Sequence, residues 1–208
     1  MKKAFLNILG FIFMVFAVSG LMVTVLYVFV YFWERDSNGY SQHNNSQNIN
    51  NQNINNQINL ALDYAYGKNF DDRKAIELFN AAAAQGSLDA KMKLADYYFK
   101  TKRFDLAVSE YEELVSENHA HAKLALGSCY FYGLGVDKNL NKAIALFEEA
   151  SDQGVATAKT ALAICYLEGI GVEKSLITGR ALLAEAARMG EPYAIELLEQ
   201  MKYKSIRK

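Results

Sequence analysis

The chain has 208 residues, room for one ordinary domain and an accessory segment. Its formal net charge is −1, with 51% apolar and 22% charged residues, which excludes a highly charged disordered chain and gives no basic excess for holding nucleic acid. One proline favours an all-helical fold, and two cysteines are too few for a disulfide scaffold or a structural zinc site.

The first element is an apolar run. No charge occurs from Ala4 to Trp33, and Asn7 is the run's one strongly polar residue. A helix crossing the hydrocarbon core needs about 20 residues, so the run predicts a single transmembrane anchor within residues 1–36. Ala17-Val18-Ser19 resembles a signal-peptide cleavage site, the alternative reading. Leu21 to Trp33 stays apolar beyond it, however, further than a secretory core of about 7–15 residues extends. Lys2 and Lys3 precede the run, Glu34, Arg35 and Asp36 follow it, and Tyr27, Tyr31 and Trp33 crowd its distal end. Positive charge stays in the cytoplasm and aromatic rings favour the interface. The expected topology is single-pass in a cell inner membrane, with the N-terminus cytoplasmic and all that follows periplasmic. Gly10, Ala17 and Thr24 recur every seven residues, a spacing that serves helix pairing or simply reflects small residues in a lone anchor.

Next comes an Asn/Gln-rich stretch, Ser37 to Asn59, almost uncharged and poor in apolar groups. It reads as a flexible linker over residues 37–57, with its end entering the first helix. Ile49, Ile54 and Ile58 show no sustained stripe, and His43 stands alone in a solvated tract.

From residue 58 to 208 the chain aligns on itself. Segments starting at Lys74, Leu106, Lys142 and Thr178 each reach a stop twelve positions on, at Gly86, Asn118, Gly154 and Gly190. Glycine and asparagine best tolerate the left-handed conformation that closes a helix. Four residues past each stop stands Ala90, Ala122, Ala158 or Ala194. A leucine column follows at Leu62, Leu94, Leu126 and Leu162, and a tyrosine column at Tyr66, Tyr98, Tyr130 and Tyr166. The two columns are four residues apart and share a helical face. Ala95, Gly127 and Ala163 follow the leucines and allow close helix approach, whereas Asp63 breaks that column in the first repeat. Pairs of amphipathic helices bury their apolar faces only by stacking. The expected fold is therefore an all-α solenoid of about four helix pairs, closed by a capping helix near Pro192 to Lys202.

Gly133-Leu134-Gly135-Val136 with Asn139, Lys142 and Ala143 resembles the Sel1-like repeat signature, and Gly169-Ile170-Gly171-Val172 with Ser175 repeats it. Leu126-Gly127-Ser128-Cys129-Tyr130 and the endings at Gly86 and Gly154 follow the same pattern. The resemblance extends over about Ile58 to Met201. Repeats one and two lack the glycine turn, and Phe104-Asp105-Leu106-Ala107 is closer to tetratricopeptide repeats. The resemblance implies an α/α solenoid that serves as a protein-interaction scaffold.

Its register implies a site. In such repeats the first helix of each pair lines the concave side, which places Tyr64, Met92, Asp96, Phe99, Ser128 and Phe131 inward, along with Leu60, Leu124, Ile164 and Leu167, and puts Lys68, Lys100 and Tyr132 at the rim. Exposed aromatics anchor interfaces. The same rings also serve to fill the stack. The expected partner is a component of an envelope complex. The resemblance also implies an alternative, an immunity protein against a secreted toxin effector, and a further one, a cell-envelope enzyme.

No cofactor, metal site or catalytic group is expected from the residues. Gly133-x-Gly135 and Gly169-x-Gly171 follow helices and lack the third glycine of a dinucleotide fingerprint, so they read as turns. Asn139 and Ser175 then cap the helices that follow. Cys129 and Cys165 lie one repeat apart, on stacked helices about 8–10 Å from each other, and a disulfide wants Cα atoms within about 7 Å. Two buried reduced thiols are expected. His119 and His121 are two apart on a helix and point away from each other.

Overall fold

The computed structural model describes residues 47–206, the last four as backbone only. Helix α1 covers residues 47–66. It is followed by α2 (Asp72–Ala84), α3 (Leu88–Lys100), α4 (Phe104–Ser116), α5 (Ala120–Tyr132), α6 (Leu140–Asp152), α7 (Ala156–Glu168), α8 (Leu176–Arg188) and α9 (Pro192–Ile206). All nine described elements are helices. The odd-numbered ones open each repeat and the even-numbered ones close it.

The sequence sets these boundaries through caps. Asp71, Ser87, Asn139 and Ser175 accept a backbone N–H three residues on, at the starts of α2, α3, α6 and α8. Each such cap contributes about 1 kcal/mol. Residues Gly86, Asn118, Gly154 and Gly190 all have positive φ where the even helices stop, as their alignment implies. Gly133 and Gly169 are left-handed C-caps with φ of 73° and 75°, which establishes their turn-making role.

From α2 onward each helix packs against the next. Within a repeat, two columns of small residues face one another. Ala95 and Ala107 are fully buried, as are Ala143 and Ala163. A Cβ on Gly127 would lie 2.7 Å from the Phe147 ring, and one on Gly179 would lie 2.6 Å from Leu167. These approaches bring the odd and even helices close enough for Leu94, Leu126 and Leu162 to be 1–4% exposed. Tyr98 and Tyr130 are half-buried against the same cores.

The N-terminal boundary differs from the expected linker. Residues 47–57 are helical, and Ile54 and Ile58 are 7% and 5% exposed. With Ala61 and Ala65 they form one stripe, spaced four, three and four, that packs on Phe79, Leu94 and Tyr97. The amide-rich composition hides this stripe because everything between the isoleucines is Asn or Gln. The apolar run Ala4 to Trp33, its flanking charges and His43 lie outside the described residues. Among the described residues no helix is long and apolar enough to cross a membrane.

The last helix starts at Pro192, where a missing N–H costs little. Glu191 accepts from Ala194 N–H at 2.6 Å and from Thr160 Oγ1 at 3.1 Å, tying α9 to α7. Glu199 stands at the repeat position that Ala95, Gly127 and Ala163 fill with small side chains.

Candidate partner-binding face

The expected site residues sit on α1, α3 and α5, and the structure gives them unequal roles. Tyr64 is half-buried on the first core, with Lys74 Nζ 5.1 Å from its ring centre. Met92 and Phe99 share the second core, and Phe99 meets Phe104 edge-on at 5.3 Å. Asp96 accepts the Tyr111 hydroxyl at 2.9 Å. Ser128 Oγ donates to Leu124 C=O within its own helix at 2.9 Å. Phe131 packs on the third core, 6.2 Å from Phe147 and 4.9 Å from Tyr132. Tyr132 stands 68% exposed. Met92 and Phe99 thus come together, and so do Phe131 and Tyr132, while Tyr64 belongs to a separate core. Phe99 and Phe131 also fill the stack.

Polarity divides this face. On α3, Asp89, Lys91, Lys93, Asp96 and Lys100 carry both signs. On α5 the one Asp, Glu, Lys or Arg is Lys123, whose side chain is 7% exposed and bound to Glu149 at 2.7 Å and Asn118 Oδ1 at 2.7 Å. Leu124, Ser128, Phe131 and Tyr132 therefore present no charge.

Lys123 belongs to a column that the sequence reading did not single out. Lys91 pairs with Glu113 at 2.7 Å, and Lys159 pairs with Glu185 at 3.2 Å. Each links an odd helix to the even helix after it. The self-alignment carries the signal, since every lysine lies three residues before a column leucine. Arg103 was also missed. It binds both oxygens of Asp72, at 2.6 and 3.1 Å, and lies 5.3 Å from the Tyr97 ring centre. Those hydrogen bonds, from Arg103 first and then Tyr97, hold the Asp72 carboxyl below the usual range. Burial and then the bond to Asp72 push the Tyr97 hydroxyl up to about 12.

The remaining candidates are structural. Cys129 and Cys165 are buried and free. Burial pushes the Cys129 thiol up to about 11 and raises Cys165 as well, which disfavours the reactive thiolate. His119 Nδ1 accepts from Ala122 N–H at 3.2 Å and caps α5. Among the described residues no group of three His, Cys, Asp or Glu side chains is placed to hold a metal ion.

The Sel1 repeat family model matches residues 57–87, 119–155 and 156–191, together half of the chain. Within the array, the unmatched stretch is repeat two, residues 88–118. A Sel1 repeat protein from Oxalobacter formigenes is 26% identical with a TM-score of 0.61, covering 70% of this chain and 62% of that one. The c5321 protective antigen of uropathogenic Escherichia coli, with an SLR fold, is 24% identical with a TM-score of 0.63, covering 74% of this chain and 34% of that one. The HRD3 component of the ERAD-associated E3 ubiquitin-protein ligase of Candida glabrata is 34% identical over 67 residues, 32% of this chain and 8% of that protein. The chain thus spans less than two thirds of each of these relatives.

Proposed function

Because the chain belongs to the Sel1 repeat family, we propose that it is a membrane-anchored scaffold that binds a partner protein outside the cytoplasm. Sel1 scaffolds typically serve interaction rather than catalysis. The observation that carries the reading is the uncharged face of α5, where Tyr132 is exposed beside the half-buried Phe131. Tyrosine and phenylalanine next to a desolvated patch are the usual anchors of interfaces. The apolar run Ala4 to Trp33 and the lysines before it support the anchor and the topology. The partner is an envelope component that the anchor keeps close to the membrane.

A photo-crosslinking residue placed at Tyr132 of the full chain in cells should give one discrete adduct with a second protein. The same residue at Ala145, exposed on α6, should give none. Equal labelling from both positions removes the assignment to α5. Alkaline phosphatase fused after Ser46 should be active, and an inactive fusion there would place the repeats in the cytoplasm.

A further inference from the structure

The turns that join odd to even helices differ along the array. In repeats three and four, Val136 and Val172 pack on the cores of neighbouring repeats. In repeat one the turn at residues 67–71 has no earlier repeat beneath it among the described residues, and Phe70 at its tip is 64% exposed. Tyr66 beside it is 50% exposed.

Charge follows the same division. Residues 68–74 and 100–106 hold six cations, Lys68, Arg73, Lys74, Lys100, Lys102 and Arg103, against three acids, a net of +3. The corresponding stretches of repeats three and four, 132–142 and 168–178, sum to zero. Two of the three acids are already occupied. Asp71 caps α2 and lies 3.9 Å from Lys74, and Asp72 is held by Arg103 and Tyr97, which leaves Lys68, Arg73, Lys100 and Lys102 as the cations outside these ion pairs. The two turns form one surface, since Arg103 reaches Asp72, Lys100 lies 4.8 Å over the Tyr66 ring, and Tyr66 meets Tyr97 at 5.7 Å.

We propose that this turn edge of repeats one and two docks on an anionic lipid surface, with Phe70 entering the headgroup layer and the surrounding lysines facing lipid phosphates. An exposed aromatic ring flanked by cations suits that interface. The inference rests on the membrane-anchor reading, which brings a bilayer near. Chain length permits the contact. Residues 34–46 extend at most ~45 Å, and α1 rises ~30 Å, so the turn at the far end of α1 can return to the bilayer.

The test uses the full chain reconstituted in vesicles of phosphatidylcholine, alone or with about a third phosphatidylglycerol. A fluorophore sensitive to water is attached at Asn69→Cys, with buried Cys129 and Cys165 left unlabelled in the native fold. The expected result is a blue shift on anionic vesicles only, reversed by high salt. Lys68→Ala with Lys102→Ala should weaken docking about 30-fold, at about 1 kcal/mol per lysine. An unshifted label, or equal shifts on both vesicles, overturns the proposal. A shift produced equally by polyglutamate without lipid overturns it in favour of an acidic protein. Resistance to alkaline extraction reports the anchor separately. A chain that is extracted, yet still shifts on anionic vesicles, loses the anchor reading and keeps this one.

Discussion

Repeats two and three perform the same stacking by different means. In repeat three the turn after α5 is seven residues long and uses Gly135, whose backbone sits against α4. A Cβ there would lie 2.6 Å from the Phe104 carbonyl. In repeat two the turn after α3 is three residues, Thr101 to Arg103, and the Arg103 side chain reaches back to Asp72 on α2. One seam is closed by backbone contact and the other by an ion pair over aromatic rings. The first solution leaves a recognisable glycine signature. The second needs only an arginine and an aspartate, and the stacking continues through repeat two, where the family model does not match.

The contrast is most sharply tested at its glycine. Gly135→Ala adds a clash with backbone to the strain of φ +72°, so a loss of about 2–4 kcal/mol in urea unfolding is expected. Gly86→Ala meets nothing within 4 Å and should lose about 1 kcal/mol, from strain alone. Equal losses would mean that the turn of repeat three is not seated on α4. Ile54→Ala should cost about 2–3 kcal/mol, because the residue is buried in the first core. A neutral result would return residues 47–57 to the linker. Arg103→Ala should cost about 1 kcal/mol, since the pair is partly exposed and the ring contacts add little more.

The smallest effect is titration of the same seam. The folded-state value of Tyr97 is raised from 10 to about 12, so its contribution is complete below pH 10 and is lost as pH rises from 10 to 12. A pH series of melting temperatures should show this loss, and Tyr97→Phe should flatten part of it. At the acid end the sign reverses. Asp72 is depressed, so its contribution is present above the ordinary aspartate range and disappears as pH falls below it.

Most of the fold was legible because stacking imposes a period on the sequence. The stops at Gly86, Asn118, Gly154 and Gly190, the caps Asn139 and Ser175, and the leucine column are all local consequences of that period. α1 was not fully legible because its buried positions, Ile54 and Ile58, are too few to stand out among amides. The candidate face was legible as a set of positions but not as exposures. Asp96 is bound to Tyr111 and Phe99 lies against Phe104, and neither contact can be read from one helix alone. Tyr132, placed at the rim by register, is the open ring.

That ring carries the central claim. Tyr132→Ala should leave the melting transition unchanged, because the side chain is 68% exposed. Loss of a hot-spot aromatic costs on the order of 2 kcal/mol, so affinity for the protein captured at this position should fall about thirty-fold. Unchanged melting with weakened binding is the result this account predicts. Unchanged melting with unchanged affinity would contradict it and move the partner away from the face of α5.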